Sequence, residues 1–415
     1  MHVIQGRVRD YAWGAPDVIP QFFGLPAASF PVAELWLGAH LGGPSRCDVG
    51  AHALALCAED VASGVDGGAG LDLRQYVAAD PEGVLGRDVM VRQRGELPFL
   101  VKLIAPAQPL SLQVHPSIEQ ARIGFARENE QGIALDSAER SYKDANHKPE
   151  LVYALTRFEA LVGFRSPRRI IGVLEGLDTA LTDSLAEQLR REPNARGVRA
   201  AFSTLLASSR PGKDDVGAVV EACRRRPADD SPSPRADAIV GMLASYYPDD
   251  PGVVASLLLN PVTLNPGEAM FIPAGTVHAY LSGFGMEIMA NSDNVLRAGL
   301  TRKYVDVPEL IDVMETVAAP PIRIAPERVS PVQSTYYAPV DDFELSIVTL
   351  RDASCWVKVR GGGPRILFCL EGAAEIRTDR GQYALVNTGQ AVFVRADDGV
   401  IRARGAGRLA QADVP

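Results

Sequence analysis

The chain lacks the features that mark secreted, membrane-spanning or disulfide-stabilised proteins. Its first residues, MHVIQGRVRDYAWG, contain no apolar core of a signal peptide, and no apolar run is long enough to cross a membrane as a helix. Its few cysteines are scattered and form no CxxC pair, which is typical of free thiols in a reducing compartment. We therefore expect a soluble, cytoplasmic protein. The cysteines are Cys47, Cys57, Cys223, Cys355 and Cys369.

Positive charge is also scarce. Lysine and arginine total 42 residues against 51 aspartates and glutamates, which gives a formal net charge of −9. Such a balance argues against nucleic acid or a membrane surface as the general partner. A site for an anionic small molecule must therefore be built from a local cluster of lysine and arginine.

The hydrophobic pattern changes twice along the 415 residues, a length above that of a single hydrophobic core. Short β-like runs come first, then a segment with apolar residues at helical spacing, such as Leu181, Leu185 and Leu189, and then β-like runs again. Helices inserted between β segments that pair with each other imply a discontinuous β domain. We predict a mainly β protein with an α-helical insertion. The expected domains are 1–165 plus 259–320, then 166–258, then 321–415.

A glutamine and a histidine stand two residues apart in SLQVHPS (111–117), which follows the apolar run LPFLVKLIAP (97–106). Residues i and i+2 of a strand face the same side, so Gln113 and His115 should point together. On its own the pair fits either a metal site or a buried hydrogen-bonded pair.

A second histidine follows a turn-rich stretch, NPGEAMFIPAGTVHAY (265–280). The spacing G-x5-P-x-G-x2-H resembles the second motif of the cupin superfamily, which are jelly-roll β-barrels. We expect EAMFI to be a strand and His278 to begin the next strand, pointing into the barrel. Glu150, at the head of a predicted strand, supplies a carboxylate. Two imidazoles, one carboxylate and one amide oxygen, without thiolate, suit Zn²⁺ better than Mn²⁺, Fe²⁺ or Co²⁺.

Further stretches resemble the type I phosphomannose isomerases over most of the chain. The most specific is SDNVLRAGLT (292–301), which is close to a signature of that family. The resemblance implies a zinc enzyme, with one ion per chain, that interconverts mannose 6-phosphate and fructose 6-phosphate through an enediolate. It also implies a cupin barrel, a helical domain and a second, degenerate cupin-like domain. The other matching stretches are YAWG (11–14), AELWLGAHLGGPS (33–45), LPFLVKLI (97–104) and YKDANHKPEL (142–151).

Carried over residue by residue, the resemblance gives each candidate a role. The zinc ligands are Gln113, His115, Glu150 and His278. Arg297 matches the catalytic arginine, and it is a phosphate-binding candidate together with Lys102 and Lys303. Proton transfer is left open among His147, Lys148, Asp293 and Glu287. Residues expected to line the sugar-phosphate site are Lys102, Ser111, Tyr280, Glu287 and Lys303.

The last β block lacks matching ligands. In GQAVFVRADDGV (389–400) the position of the motif's proline is Arg395, and no histidine follows. We therefore predict a structural, metal-free C-terminal domain. The resemblance further implies a monomer that supplies mannose for nucleotide sugars such as GDP-mannose, or that serves mannose catabolism.

Three other functions compete with the isomerase. A cupin oxygenase using Fe²⁺ would have no need of SDNVLRAGLT or NHKPE, which are both present. A non-catalytic sugar-phosphate-binding protein would lack a catalytic residue, whereas every proposed one is present. A bifunctional isomerase–guanylyltransferase would need a glycine-rich nucleotide-binding segment, which the sequence does not contain.

Overall fold

The computed structural model describes residues 1–47, 71–207 and 209–415, so Cys57 lies outside the described residues. The strands in chain order are β1 (His2–Gln5), β2 (Arg7–Arg9), β3 (Glu34–Gly38), β4 (Arg46–Cys47), β5 (Phe99–Ile104), β6 (Leu112–Val114), β7 (Glu150–Ala154), β8 (Phe158–Phe164), β9 (Leu259–Leu264), β10 (Ala269–Ile272), β11 (His278–Ser282), β12 (Gly285–Ala290), β13 (Leu296–Gly299), β14 (Ile322–Ile324), β15 (Glu327–Arg328), β16 (Gln333–Tyr336), β17 (Glu344–Leu350), β18 (Val357–Val359), β19 (Arg365–Thr378), β20 (Tyr383–Asn387), β21 (Ala391–Val394) and β22 (Ile401–Asp413).

The α-helices fall mainly between β8 and β9. They are Val18–Phe22, Leu73–Ala79, Pro81–Leu85, Arg87–Arg92, Ile118–Glu130, Pro167–Leu174, Ala180–Arg191, Ala195–Leu206, Lys213–Arg225, Pro234–Tyr246, Gly252–Ala255 and Val307–Val313. Short 3-10 turns cover Ser256–Leu258 and Ala396–Asp398. Within the described ranges, no helix is long and apolar enough to span a membrane.

Two antiparallel sheets face each other and carry the site. Their strand orders are β14-β10-β7-β12-β5-β3-β2 and β13-β6-β11-β8-β9. Both sheets combine strands from before and after the helical segment, for example β7 with β10 and β8 with β11. The predicted fold, mainly β with a helical insertion, is therefore confirmed. Apolar residues from both sheets pack between them, including Ile104, Val152, Met270, Phe158, Val162 and Leu264.

The helices form where the apolar spacing predicts them. The helix Ala180–Arg191 begins after Thr179, whose hydroxyl accepts from the backbone of Thr182, and it buries Leu185 and Leu189. The core of these helices continues into strand residues of β6 and β13, such as Leu112 and Leu296. The helical segment thus covers the outer face of the five-stranded sheet and fixes the strands that carry the site.

A third sheet occupies the C-terminal segment. Its order is β15-β16-β17-β22-β19-β21-β1-β4, with β18 on β22 and β20 on β19. The N-terminal strands β1 and β4 join it, with Val3 opposite Val392 and Ile4 opposite Cys47. Buried apolar side chains form a cluster within this sheet. Its members include Val348, Leu367, Ile376, Val392 and Leu409. The domain boundaries and the structural role of this segment stay predictions.

Candidate functional site

Strands β6 and β11 of one sheet and strand β7 of the facing sheet bring the predicted ligands together. His278, the first residue of β11, lies opposite Gln113 of β6 in the antiparallel register. Arg297 of β13 lies opposite Gln113 on the other side of β6. Glu150 is the first residue of β7, in the facing sheet. The expected strand starts at Glu150 and His278 are both found, and the site lies between the two sheets.

Backbone carbonyls orient both imidazoles. His115 donates from Nδ1 to the carbonyl of Asn294 at 2.7 Å, and His278 donates from Nδ1 to the carbonyl of Thr276 at 2.9 Å. A neutral imidazole that donates from Nδ1 carries its lone pair on Nε2. Burial lowers the pKa of His115 to about 4, which keeps this ring neutral. Both Nε2 atoms are therefore available as ligands.

The two imidazoles converge on one carboxylate. The Nε2 atoms of His115 and His278 lie 3.2 and 3.3 Å from the two carboxylate oxygens of Glu150. One ligand atom from each of the three residues falls within 4.8 Å of the others. Nε2 of His115 is buried and makes no properly directed hydrogen bond, as expected for an atom that ligates a metal.

Gln113 completes a mixed nitrogen and oxygen set. Its side-chain amide lies 3.3 Å from Nε2 of His278. Because the two ends of an amide look alike, its oxygen can face the same point after a flip. Two imidazoles with carboxylate and amide oxygens fit a Zn²⁺ site with no thiolate.

Lys148 holds the carboxylate of Glu150 in its charged form. Its Nζ lies 3.0 Å from Oε1 of Glu150, and both side chains are almost fully buried. Burial alone would raise the pKa of Glu150, but Lys148 and His115 outweigh it and hold the pKa well below its usual value. Glu150 is therefore an anionic donor before any metal binds.

Lys102 belongs to a second buried network. Its Nζ lies 3.5 Å from Glu287 and 4.0 Å from Glu34, and it stands over the ring of Trp36. Tyr280 donates to the other oxygen of Glu287 at 2.8 Å. The charge of Lys102 is therefore balanced by carboxylates, and its part in binding phosphate stays a prediction.

One cavity of about 890 Å³ is lined by Gln113 and Glu150 of the proposed ligands and by the buried network around Lys102, whereas His115 and His278 are not among its lining residues. His147 is not among its lining residues; its Nε2 lies 2.9 Å from Oδ2 of Asp342, in the C-terminal segment. The predicted residues that line it are Lys102, Ser111, Gln113, Lys148, Glu150, Tyr280, Glu287, Asp293, Arg297 and Lys303.

Unpaired cations form another part of the cavity wall. Arg297, Lys303 and Lys143 make no ion pair with any carboxylate of the described residues. Burial lowers the pKa of Lys303, and the charges of Arg297 and Lys143 lower it further, so the three cations lie close together. Lys143 was missed at the sequence level, although it stands in the matched stretch YKDANHKPEL.

Asn294, the last residue of the triplet SDN (292–294), links this triplet to the metal ligands through hydrogen bonds. Its Oδ1 accepts from the backbone of Lys143 at 2.8 Å, and its Nδ2 donates to the carbonyl of Asn146 at 2.8 Å. Its own carbonyl accepts from His115. A single buried asparagine thus ties the NHKPE segment to the orientation of a ligand ring.

Comparison with known proteins agrees with this geometry. The model of the phosphomannose isomerase type I catalytic domain matches residues 1–167. The mannose-6-phosphate isomerase of Escherichia coli K12 is 38% identical over 99% of this chain and 99% of its own length. The chain belongs to the type I phosphomannose isomerase family. A more distant member, mannose-6-phosphate isomerase 1 of Arabidopsis thaliana, is 31% identical over 94% of this chain and 88% of its own length.

Solved structures of phosphomannose isomerases share the whole fold. A zinc-bound mannose 6-phosphate isomerase superposes with a TM-score of 0.85 at 38% identity, covering 100% of this chain and 99% of the other. The enzyme of Salmonella typhimurium, solved with its substrate fructose 6-phosphate (f6p) and a zinc atom, gives the same TM-score, identity and coverage. The family assignment and the cupin-type fold predicted from the sequence are therefore confirmed.

Proposed function

We propose that this chain is a zinc-dependent isomerase that interconverts D-mannose 6-phosphate and D-fructose 6-phosphate. The observation that carries the proposal is a cluster of two imidazoles on the charged carboxylate of Glu150, next to a cavity that Glu150 and Gln113 line together with cations that make no ion pair with the described residues. The related enzyme solved with fructose 6-phosphate and zinc supports the same substrate and metal.

Gln113, His115, Glu150 and His278 hold a single zinc ion. When bound there, zinc supplies a Lewis acid that polarises a sugar oxygen. The carbonyl contacts of both histidines fix the ligand atoms in advance.

The three cations bind two different parts of the substrate, its reacting end and its phosphate. Arg297 is next to Gln113 across the β6–β13 register, so it faces the reacting C1–C2 end of the sugar. Its guanidinium stabilises the negative charge that develops on O1 and O2 of the enediolate. Lys303, one of the three phosphate candidates from the sequence, binds the phosphate together with Lys143.

Asp293 is our candidate for the group that moves the proton between C1 and C2. It lines the cavity and its side chain is 37% exposed, although Nε2 of His40 lies 3.5 Å from its Oδ2. Burial alone would raise the pKa of Asp293, but nearby positive charges hold it below its usual value, so the carboxylate is charged. Glu287 is less accessible because Tyr280 and Lys102 occupy its oxygens. A general base must first be able to reach the proton.

We expect Asp293→Asn to lower kcat by about 10²- to 10⁴-fold with a small change in KM. Exchange of the C2 proton of mannose 6-phosphate with deuterated solvent should fall in parallel, because this readout follows the proton step itself. Glu287→Gln is the matched comparison. If Glu287→Gln abolishes exchange while Asp293→Asn retains it, Asp293 is not the proton carrier.

The function is tested by measuring fructose 6-phosphate formed from mannose 6-phosphate. Protein as isolated, chelated protein and chelated protein with Zn²⁺ restored are compared. We expect activity to disappear on chelation and to return with zinc, since the ligand set is complete in the fold. If fully zinc-loaded protein produces no fructose 6-phosphate, the proposed reaction is wrong. Oxygen-dependent turnover with Fe²⁺ would instead favour the oxygenase alternative.

The proposal extends to the oligomeric state, the compartment and the pathway. We propose a monomer that acts in the cytoplasm, without a nucleic-acid partner. Its mannose 6-phosphate would feed nucleotide-sugar synthesis, or be consumed when mannose is catabolised.

A further inference from the structure

A second cavity lies in the C-terminal segment, outside the site described above. It has a volume of about 460 Å³ and lies between β18, the glycine loop 361–363 and the turn 396–400. Three cations line it, Lys358, Arg360 and Arg365, against one carboxylate, Asp379. The proposed isomerase reaction uses none of these residues.

Arg365 is the unusual member, because only 1% of it is exposed. Its guanidinium donates to the carbonyl of Gly399 at 2.6 Å and, more weakly, to that of Gly361 at 3.4 Å. Its Nε is buried without a hydrogen-bond partner in the described structure. A guanidinium has only donors, so the missing partner is a hydrogen-bond acceptor. Leaving such a donor unsatisfied in the interior costs free energy.

Carboxylates near the cavity do not balance its positive charge. Asp379 is engaged by Arg402 at 2.7 Å, and Asp398 by the amino group of Met1 at 2.8 Å. Asp413 and Asp398 lie close enough to Arg365 to oppose the lowering of its pKa by burial, but burial and the charge of Glu344 raise the pKa of Asp413 well above its usual value. Lys358, Arg360 and Arg365 make no ion pair with the described carboxylates. The cavity therefore favours an anion.

The glycine loop leaves room for that anion. Gly361 has a φ of 130°, and an added Cβ would lie 2.2 Å from Oδ2 of Asp413, so this position needs glycine. An added Cβ on Gly362 would meet nothing within 4 Å. The loop is thus packed tightly at one residue and open at the next, where the cavity begins.

We propose that this cavity is a second anion site, which binds a phosphate group either as the free ion or as a small phosphate monoester. Phosphate offers the acceptor oxygens that Arg365 lacks, and arginine and lysine are the residues that bind it best. Arg365 forms the fixed floor of the site, while Lys358 and Arg360, both exposed, close over the ligand.

The test is calorimetric titration with inorganic phosphate, and separately with glycerol 3-phosphate, at constant ionic strength. Lys143→Ala/Arg297→Ala/Lys303→Ala removes the three cations assigned to the substrate in the isomerase cavity, so the second site is observed without them in that protein. There we expect one remaining site for phosphate. Adding Lys358→Ala/Arg360→Ala should weaken it by about tenfold or more.

Lys358 and Arg360 are both exposed, so Lys358→Ala/Arg360→Ala made alone in the otherwise unaltered protein should retain the fold and leave isomerase activity unchanged. Arg210→Ala/Lys213→Ala, which removes an exposed arginine and lysine in the helical segment, is the matched control and should leave phosphate binding intact. The proposal is overturned if Lys143→Ala/Arg297→Ala/Lys303→Ala binds no phosphate, or if adding Lys358→Ala/Arg360→Ala leaves its affinity for phosphate unchanged. Binding of glycerol 3-phosphate in addition to phosphate would identify a monoester site, whereas binding of phosphate alone would identify a free-ion site. Neither result depends on the isomerase reaction.

Discussion

Glu150→Gln is expected to remove both bound zinc and isomerase activity. Glu150 is the single anionic donor among the four proposed ligands, and both its oxygens face a histidine Nε2. The amide is close in size but carries no charge, so the zinc site loses its one compensating charge. The dissociation constant for zinc should rise by about 100-fold or more, beyond the usual effect of altering residues around a metal site. Zinc per chain after dialysis and isomerase activity measure the two consequences.

The same substitution also leaves Lys148 without its partner at 3.0 Å. Removing one member of a buried ion pair destabilises a fold by about 3–5 kcal/mol, so thermal unfolding must be followed together with zinc content. Glu159→Gln is the matched control: Glu159 lies in β8 of the facing sheet, outside the cavity lining, and pairs with Arg157 at 2.7 Å and with Arg235. It should keep zinc and activity. A folded Glu150→Gln protein with full zinc would show that Glu150 is not a ligand.

Local pattern predicts much of this site correctly. The strands β7 and β11 begin at Glu150 and His278, as the turn residues before each one suggest. Leu185 and Leu189 are buried in the helix that their four-residue spacing predicts. These features depend on neighbours within a few residues, and the sequence displays those directly.

Contacts between distant strands could not be predicted from local pattern. Lys102 is opposite Glu287 of β12 and Trp36 of β3 in the sheet register, and only that register reveals its buried partners. His147 pairs with Asp342, which is 195 residues away along the chain. Local pattern likewise does not predict that β1 pairs with β21. For this reason the sequence names Lys102 among three phosphate candidates and His147 among four candidates for proton transfer without showing their partners, and it does not single out Lys143.

Arg297→Ala is expected to lower kcat by about 10²- to 10³-fold while zinc stays at the level of the unaltered protein. Arg297 is buried enough to lower its pKa, yet it forms no ion pair with the described residues, so its charge is available to the substrate. Charge on O1 and O2 grows only as the enediolate forms, so loss of the guanidinium should affect kcat more than KM. Steady-state kinetics with a zinc determination on the same sample measures both.

Arg297→Lys separates charge from shape at this position. A lysine keeps the positive charge but has a single ammonium instead of the planar fork of arginine, so it should restore only part of the lost turnover. Arg323→Ala, on the half-exposed strand β14, removes an arginine that pairs with Glu268 at 3.1 Å and should leave kcat unchanged. If Arg297→Ala loses its zinc, Arg297 supports the metal ligands through its neighbour Gln113. If instead KM rises and kcat is kept, Arg297 binds the phosphate with Lys303, and charge stabilisation at the reacting carbons falls to the metal alone.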